Sequence, residues 1–100
     1  RLTQEQPELE EEQKTKLNRQ LQLLAYTLSL DPSAEPEIKI VYFQRDSQKI
    51  GGASVIYSGK IKKIDGSSRQ ILFTDGTTLS LENILSMEGE VFRILEETGL

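Results

Sequence analysis

The sequence predicts a mostly β fold with flanking helices: an N-terminal helix, a small antiparallel β-barrel of about five strands, and a short C-terminal helix. Three observations predict it. Leu17, Leu21, Leu24 and Leu28 recur at spacings of four, three and four, the stripe of an amphipathic helix. From Ile38 onward the apolar residues alternate, as they do in strands. Two Asp-Gly pairs, Asp65-Gly66 and Asp75-Gly76, then punctuate the alternating segments as hairpin turns do. At 100 residues the chain, taken as a single domain, has room for one core and not two.

The first helix is expected over residues 7–30. Pro7 suits the first helical position, and Glu8, Glu10, Glu11 and Glu12 complement the positive end of the helix dipole. Asp31-Pro32 stops it, because proline pushes the residue before it out of the helical region. "DPSAEPE" links the helix to the barrel, residues 37–87. "EIKIVYFQ" is a strand with Ile38, Ile40 and Tyr42 on one face and Val41 and Phe43 on the other. "RDSQKIGG" is a polar turn, and "ASVIYSGKIKKI" is a long strand with a bend or bulge expected at Gly59. Ile61 and Ile64 have opposite parity, so both reach the core only if a bulge intervenes near Lys62 and Lys63. "QILFT" and "TLSL" are the next two strands, and "ENILSM" makes one helical turn before a closing strand over residues 85–87. A final helix over residues 89–98 points Val91, Ile94 and Leu95 inward, with Gly99 past its end. Ile38, Ile40, Ile61, Ile64, Ile71, Phe73, Leu79 and Ile84 should supply most of the core. Short strands meandering through tight turns favour a bent barrel over a flat sheet.

Composition narrows the chemistry. Hydrophobic residues at 36% and charged residues at 28% suit a small soluble globule. The chain has no cysteine and no histidine, so disulfides, thiolate nucleophiles and the usual zinc ligands are excluded and a cytoplasmic home is favoured. Ser58, Ser67, Ser68 and Ser80 have no histidine to activate them. Asp46, Asp65, Asp75 and Glu82 all sit beside turns, where carboxylates are solvated and hold no proton for catalysis. "DGSS" and "DGTT" lack the acidic count of a calcium loop. The reading is a protein that is not an enzyme and uses no metal or cofactor. No apolar run approaches the ~20 residues that cross a bilayer. The sequence opens on Arg1 and not Met, so a preceding segment is expected.

The net charge of −4 is unevenly spread: −3 over residues 1–36, +2 over 37–87 and −3 over 88–100. Within the basic middle, Lys60, Lys62, Lys63 and Arg69, joined by Lys49, form a candidate nucleic-acid patch with Tyr57 near enough to offer a stacking ring. Alternation puts Lys60 and Lys62 on one face and Lys63 on the other. Lysines on strands also discourage edge pairing, and the acidic whole argues against a dedicated nucleic-acid binder. The run Glu10-Glu11-Glu12 is a solvated helix start, or a dock for a basic partner.

The stretch "YSGKIKKIDGSSRQILFTDGTTLSLENILSM" resembles the YolD-like family of bacterial and phage proteins. Gly59, Ile61, Ile64 and Asp65 match its G-x-I-x-x-I-D segment. Ile71 and Phe73 match the apolar strand after it, Asp75 and Gly76 the second turn, Leu79 and Leu81 a short strand, and Glu82, Asn83 and Ile84 the closing acidic-x-Ile motif. "EIKIVYFQRD" resembles the family's first strand and the leucine-striped segment its leading helix, so the likeness covers about residues 8 to 87. The family's segment rich in Trp, Met and Pro is absent, Asn83 stands where an acid is usual, and residues 88–100 run past the typical end. The resemblance implies an Sm-like small barrel and an accessory role beside Y-family (error-prone) DNA polymerases in translesion synthesis. There the protein would stand in for the UmuD subunit in the SOS response to DNA damage. It supplies no catalytic residues.

The functional expectation is therefore a non-enzymatic interaction module acting through a protein partner, with Tyr42, Phe43 and Phe92 as candidate aromatic anchors. The alternative is a small barrel that binds nucleic acid through Lys60, Lys62, Lys63 and Arg69. A third reading is a ligand-sensing barrel, which would need a deep apolar pocket with convergent polar groups.

Overall fold

The computed structural model describes residues 8–45 and 51–97. Helix α1 spans Glu11–Leu30, four residues shorter at its start than the sequence suggests. Glu10 is its N-cap because Gln13, three positions on, reaches back: the Glu10 N–H donates to Gln13 Oε1 at 3.1 Å. Pro7 lies outside the described residues. At the other end the Asp31 N–H donates to the Thr27 carbonyl, and Asp31 Oδ1 accepts from the Ser33 N–H and hydroxyl, turning the chain away. The leucine stripe faces the sheet. Leu24 is fully buried, and Leu17, Leu21 and Leu28 pack half-buried against the core.

Five antiparallel strands follow: β1 (Glu37–Arg45), β2 (Gly52–Asp65), β3 (Gln70–Phe73), β4 (Thr78–Ser80) and β5 (Ile84–Glu88), in the order β4-β3-β2-β1-β5. β2 is the spine. From Gly52 to Lys60 it pairs with β1, and from Ile61 to Asp65 with β3. Between Ile61 and Lys63 the register slips, leaving Lys62 as a bulge. That extra residue brings Ile64 opposite Ile71 on the same face as Ile61, which resolves their conflicting parity. The bulge therefore lies at Lys62. Gly59 keeps regular pairing with Ile38.

Ile38, Ile40, Ile61, Ile71, Phe73, Leu79 and Ile84 are buried as expected, Ile64 is half-buried, and Leu24, Met87 and Phe92 complete the cluster. The C-terminal segment is a 3-10 turn (Glu90–Phe92) running into α2 (Arg93–Glu97). Its tighter winding shifts the phase, so Phe92 fills the core while Ile94, expected inward, is 54% exposed. Gly99 lies outside the described residues.

Two further expectations are corrected. The sheet does not close into a barrel. β4 is only three residues long, and a 3-10 turn over Leu81–Asn83 carries the chain across to β5. β5 pairs with β1 only as far as Tyr42. A gap of about 360 Å³ remains between the end of β1, from Tyr42 to Arg45, and β4. Nor do the Asp-Gly pairs form two-residue turns with both residues at positive φ. In the first connection Arg69 takes the positive φ (57°), and in the second only Gly76 does (92°). The aspartates work through their side chains instead. Asp65 Oδ1 accepts from Ser67 and Ser68, and Asp75 Oδ1 from the Thr77 N–H.

Candidate interaction surface

Lys60, Lys62, Lys63 and Arg69 are all exposed, and none forms an ion pair with another described residue. The bulge alters their sidedness. Because Lys62 sits out of the ladder, Lys60 and Lys63 share the face turned from the core, correcting the expectation that Lys63 points opposite to Lys60. Lys60 and Arg69 lie at opposite ends of the β2–β3 hairpin, separated by five residues of β2, roughly 16 Å of strand. The four cations form a line, not a cluster. Lys49 lies outside the described residues.

Lys62 and Lys63 have a second neighbour, the end of α1. With Ile64 they line a depression of about 450 Å³ whose other walls are Ala25, Leu28, Ser29 and Pro32. Its floor is apolar and its rim carries the two ammonium groups. The Ser29 hydroxyl is turned back to the Tyr26 carbonyl at 2.7 Å. The last turn of α1 contains no basic residue of its own, and these lysines share a depression with its negative end. Tyr26 and Leu30, one turn apart on α1, are 61% and 68% exposed, beside half-buried Leu23. This second apolar stripe has a spacing of three and four, the same signal that marks the buried one, so periodicity alone does not tell the exposed stripe from the core-facing one.

Tyr57 is not a free stacking ring. Its ring meets Phe73 edge-on, with centroids 4.8 Å apart and planes at 76°. Gly59 makes the room: a Cβ there would lie 2.9 Å from the Tyr57 ring and 3.2 Å from Phe73. The Tyr57 hydroxyl donates to Asp75 Oδ2 at 2.5 Å. That bond raises the tyrosine above its ordinary value of 10.0 and lowers Asp75 below 3.8. The Ser67 hydroxyl, followed by the Ser68 N–H, pulls Asp65 down to about 2. Both aspartates are thus held as carboxylates, the wrong form for a general acid. Among the described residues no group of three or more acids could hold a metal ion.

The aromatic anchor candidates sit deep. Phe43 and Phe92 are buried, at 0% and 2% exposure, and Tyr42 is half-buried against the core. As folded, the two phenylalanines offer no surface to a partner. A cavity of about 410 Å³ separates the start of α1 from the C-terminal segment, walled by Phe92 and Leu95 but also by Glu11, Glu12, Lys16 and Arg19. No helix among the described residues is long and apolar enough to cross a membrane. No family model matches the chain, and no curated protein or solved structure matches it either.

Proposed function

We propose that this chain is a non-enzymatic interaction module acting on a protein partner, by resemblance a Y-family DNA polymerase engaged in the response to DNA damage. The observation that carries the reading is the unburied stripe of α1. Tyr26 and Leu30 place a large ring and a branched side chain in water one turn apart, on a helix whose other face already holds the sheet. Such side chains become binding energy when a partner covers them. The acidic flanks and basic middle would steer the encounter more than they set its strength. Co-purification with such a polymerase at low and at moderate salt tests this. The complex is expected to form in both and to be lost in a Tyr26→Ser, Leu30→Ser double variant, whose exposed positions leave folding intact. Failure to capture the polymerase at either salt would sink the partner.

A second reading, nucleic-acid binding, is favoured by one observation: Lys60, Lys62, Lys63 and Arg69 have no acidic partner among the described residues. Micromolar, salt-dependent binding of single-stranded DNA in the absence of any polymerase complex would put this reading first.

A further inference from the structure

We infer that the depression between the end of α1 and the bulge of β2 is a docking groove for an acidic, apolar segment of the partner protein. The inference rests on the reading of the chain as a protein-binding module and names the surface and the chemistry of what binds it. Ala25, Leu28, Pro32 and Ile64 give the groove a floor that gains by losing water, and its volume of about 450 Å³ accommodates one or two side chains. Lys62 and Lys63 stand at the rim, adjacent in sequence, and the bulge that interrupts the strand's alternation lets both line the same depression.

Charge complementarity selects the occupant. The chain carries 16 acidic residues, yet none of those described pairs with either lysine. The ion pairs Lys14–Glu11, Lys39–Glu88 and Arg93–Glu90 involve none of the residues that line this groove. Both ammonium groups are exposed and therefore open to carboxylates that an occupant brings. An occupant with an apolar anchor for the floor and carboxylates for the rim satisfies both halves, whereas a nucleic-acid strand would satisfy the rim and leave the floor wet. Lys62 and Lys63 also lie where they offset the negative end of α1, so the test must separate binding from helix stabilisation.

The experiment uses the whole chain, labelled with nitrogen-15, and a synthetic peptide of about twelve residues in which Leu and Phe alternate with Asp and Glu. A second peptide keeps the apolar residues and carries Lys in place of every acid. The acidic peptide is expected to move the amide signals of Ala25, Ser29, Lys62, Lys63 and Ile64, and the basic peptide to leave them still. A Lys62→Glu, Lys63→Glu variant should weaken binding about tenfold, as should Ala25→Arg, which fills the groove and removes no charge. A Lys60→Glu, Arg69→Glu variant serves as the control and should bind as the parent does. The inference is overturned if the Lys62/Lys63 reversal lowers the thermal midpoint but leaves peptide affinity unchanged. It is equally overturned if both peptides bind alike, if neither binds, or if an oligothymidine strand moves the same amides at lower concentration. Polymerase capture separates the two levels. Capture undiminished by the Lys62/Lys63 reversal removes the groove and leaves the interaction module standing. Peptide binding without polymerase capture supports the groove and removes the named partner.

Discussion

The Tyr57 hydroxyl and the Asp75 carboxylate come from β2 and from the turn between β3 and β4, and their hydrogen bond ties the hairpin tip to the spine. It also makes stability depend on pH from both sides. Asp75 and Asp65 are lowered in the folded state, so their contributions are present above about pH 4 and are lost as pH falls, for Asp65 towards about 2. Tyr57 is raised, so its contribution is complete below its ordinary 10.0 and is lost as pH climbs through the folded value. Urea midpoints measured from pH 2 to 11 should show both limbs. Tyr57→Phe should remove its share of the alkaline limb and shrink the acid one, while Asp65→Asn should shrink the acid limb alone. An alkaline limb identical in the parent and in Tyr57→Phe would mean that the bond does not persist in solution.

At the level of elements, α1 is held by two different kinds of contact. Leu24 is fully buried, so Leu24→Ala should cost about 2–5 kcal/mol, and Leu21→Ala less because Leu21 keeps part of its surface in water. Gln20 is 3% exposed, and its Nε2 donates to the Met87 carbonyl of β5 at 3.0 Å. Gln20→Leu would leave that carbonyl unpaired at a cost of about 1–3 kcal/mol, read as a lower urea midpoint. The leucine stripe was legible because helix periodicity is local. Gln20 was not, since its partner lies 67 residues away and nothing in the adjacent residues marks it. The same divide runs through the sheet. Alternation gave the strands and most of the core, and the clash of parity between Ile61 and Ile64 announced a bulge. Turn type was hidden because Asp-Gly serves equally as a positive-φ pair and as a side-chain acceptor. The lysines of the candidate surface could be read as exposed. Their sidedness depended on the bulge, and the groove between them and α1 exists only once helix and strand have packed.

For the whole molecule the decisive feature is the gap left between the end of β1 and β4. The bonds from the Phe73 N–H to the Thr77 carbonyl and from the Leu81 N–H to the Arg69 carbonyl fix the pairing phase of β4. In that phase the backbone groups of Thr78 and Ser80 point away from β3, towards the gap. A closed barrel has no first strand, so its strands must come apart together. This sheet has two borders, and the β4 border is short, while the main contacts of α1 fall on β2, β5 and the Glu90–Phe92 turn. The molecule should therefore peel. Native-state hydrogen exchange should find Thr78 and Ser80 unprotected and the β3–β4 hairpin exchanging as one unit, well before the amides shared by β1 and β2. Uniform protection across all five strands would show that the gap shuts in solution. If it does peel, the hairpin is a flap that stays tethered by the turn at residues 66–69 and by the 3-10 turn over Leu81–Asn83. Lys62 and Lys63 would then stand on the strand the flap uncovers, so the depression they line with Ile64 would change shape each time the hairpin lifts.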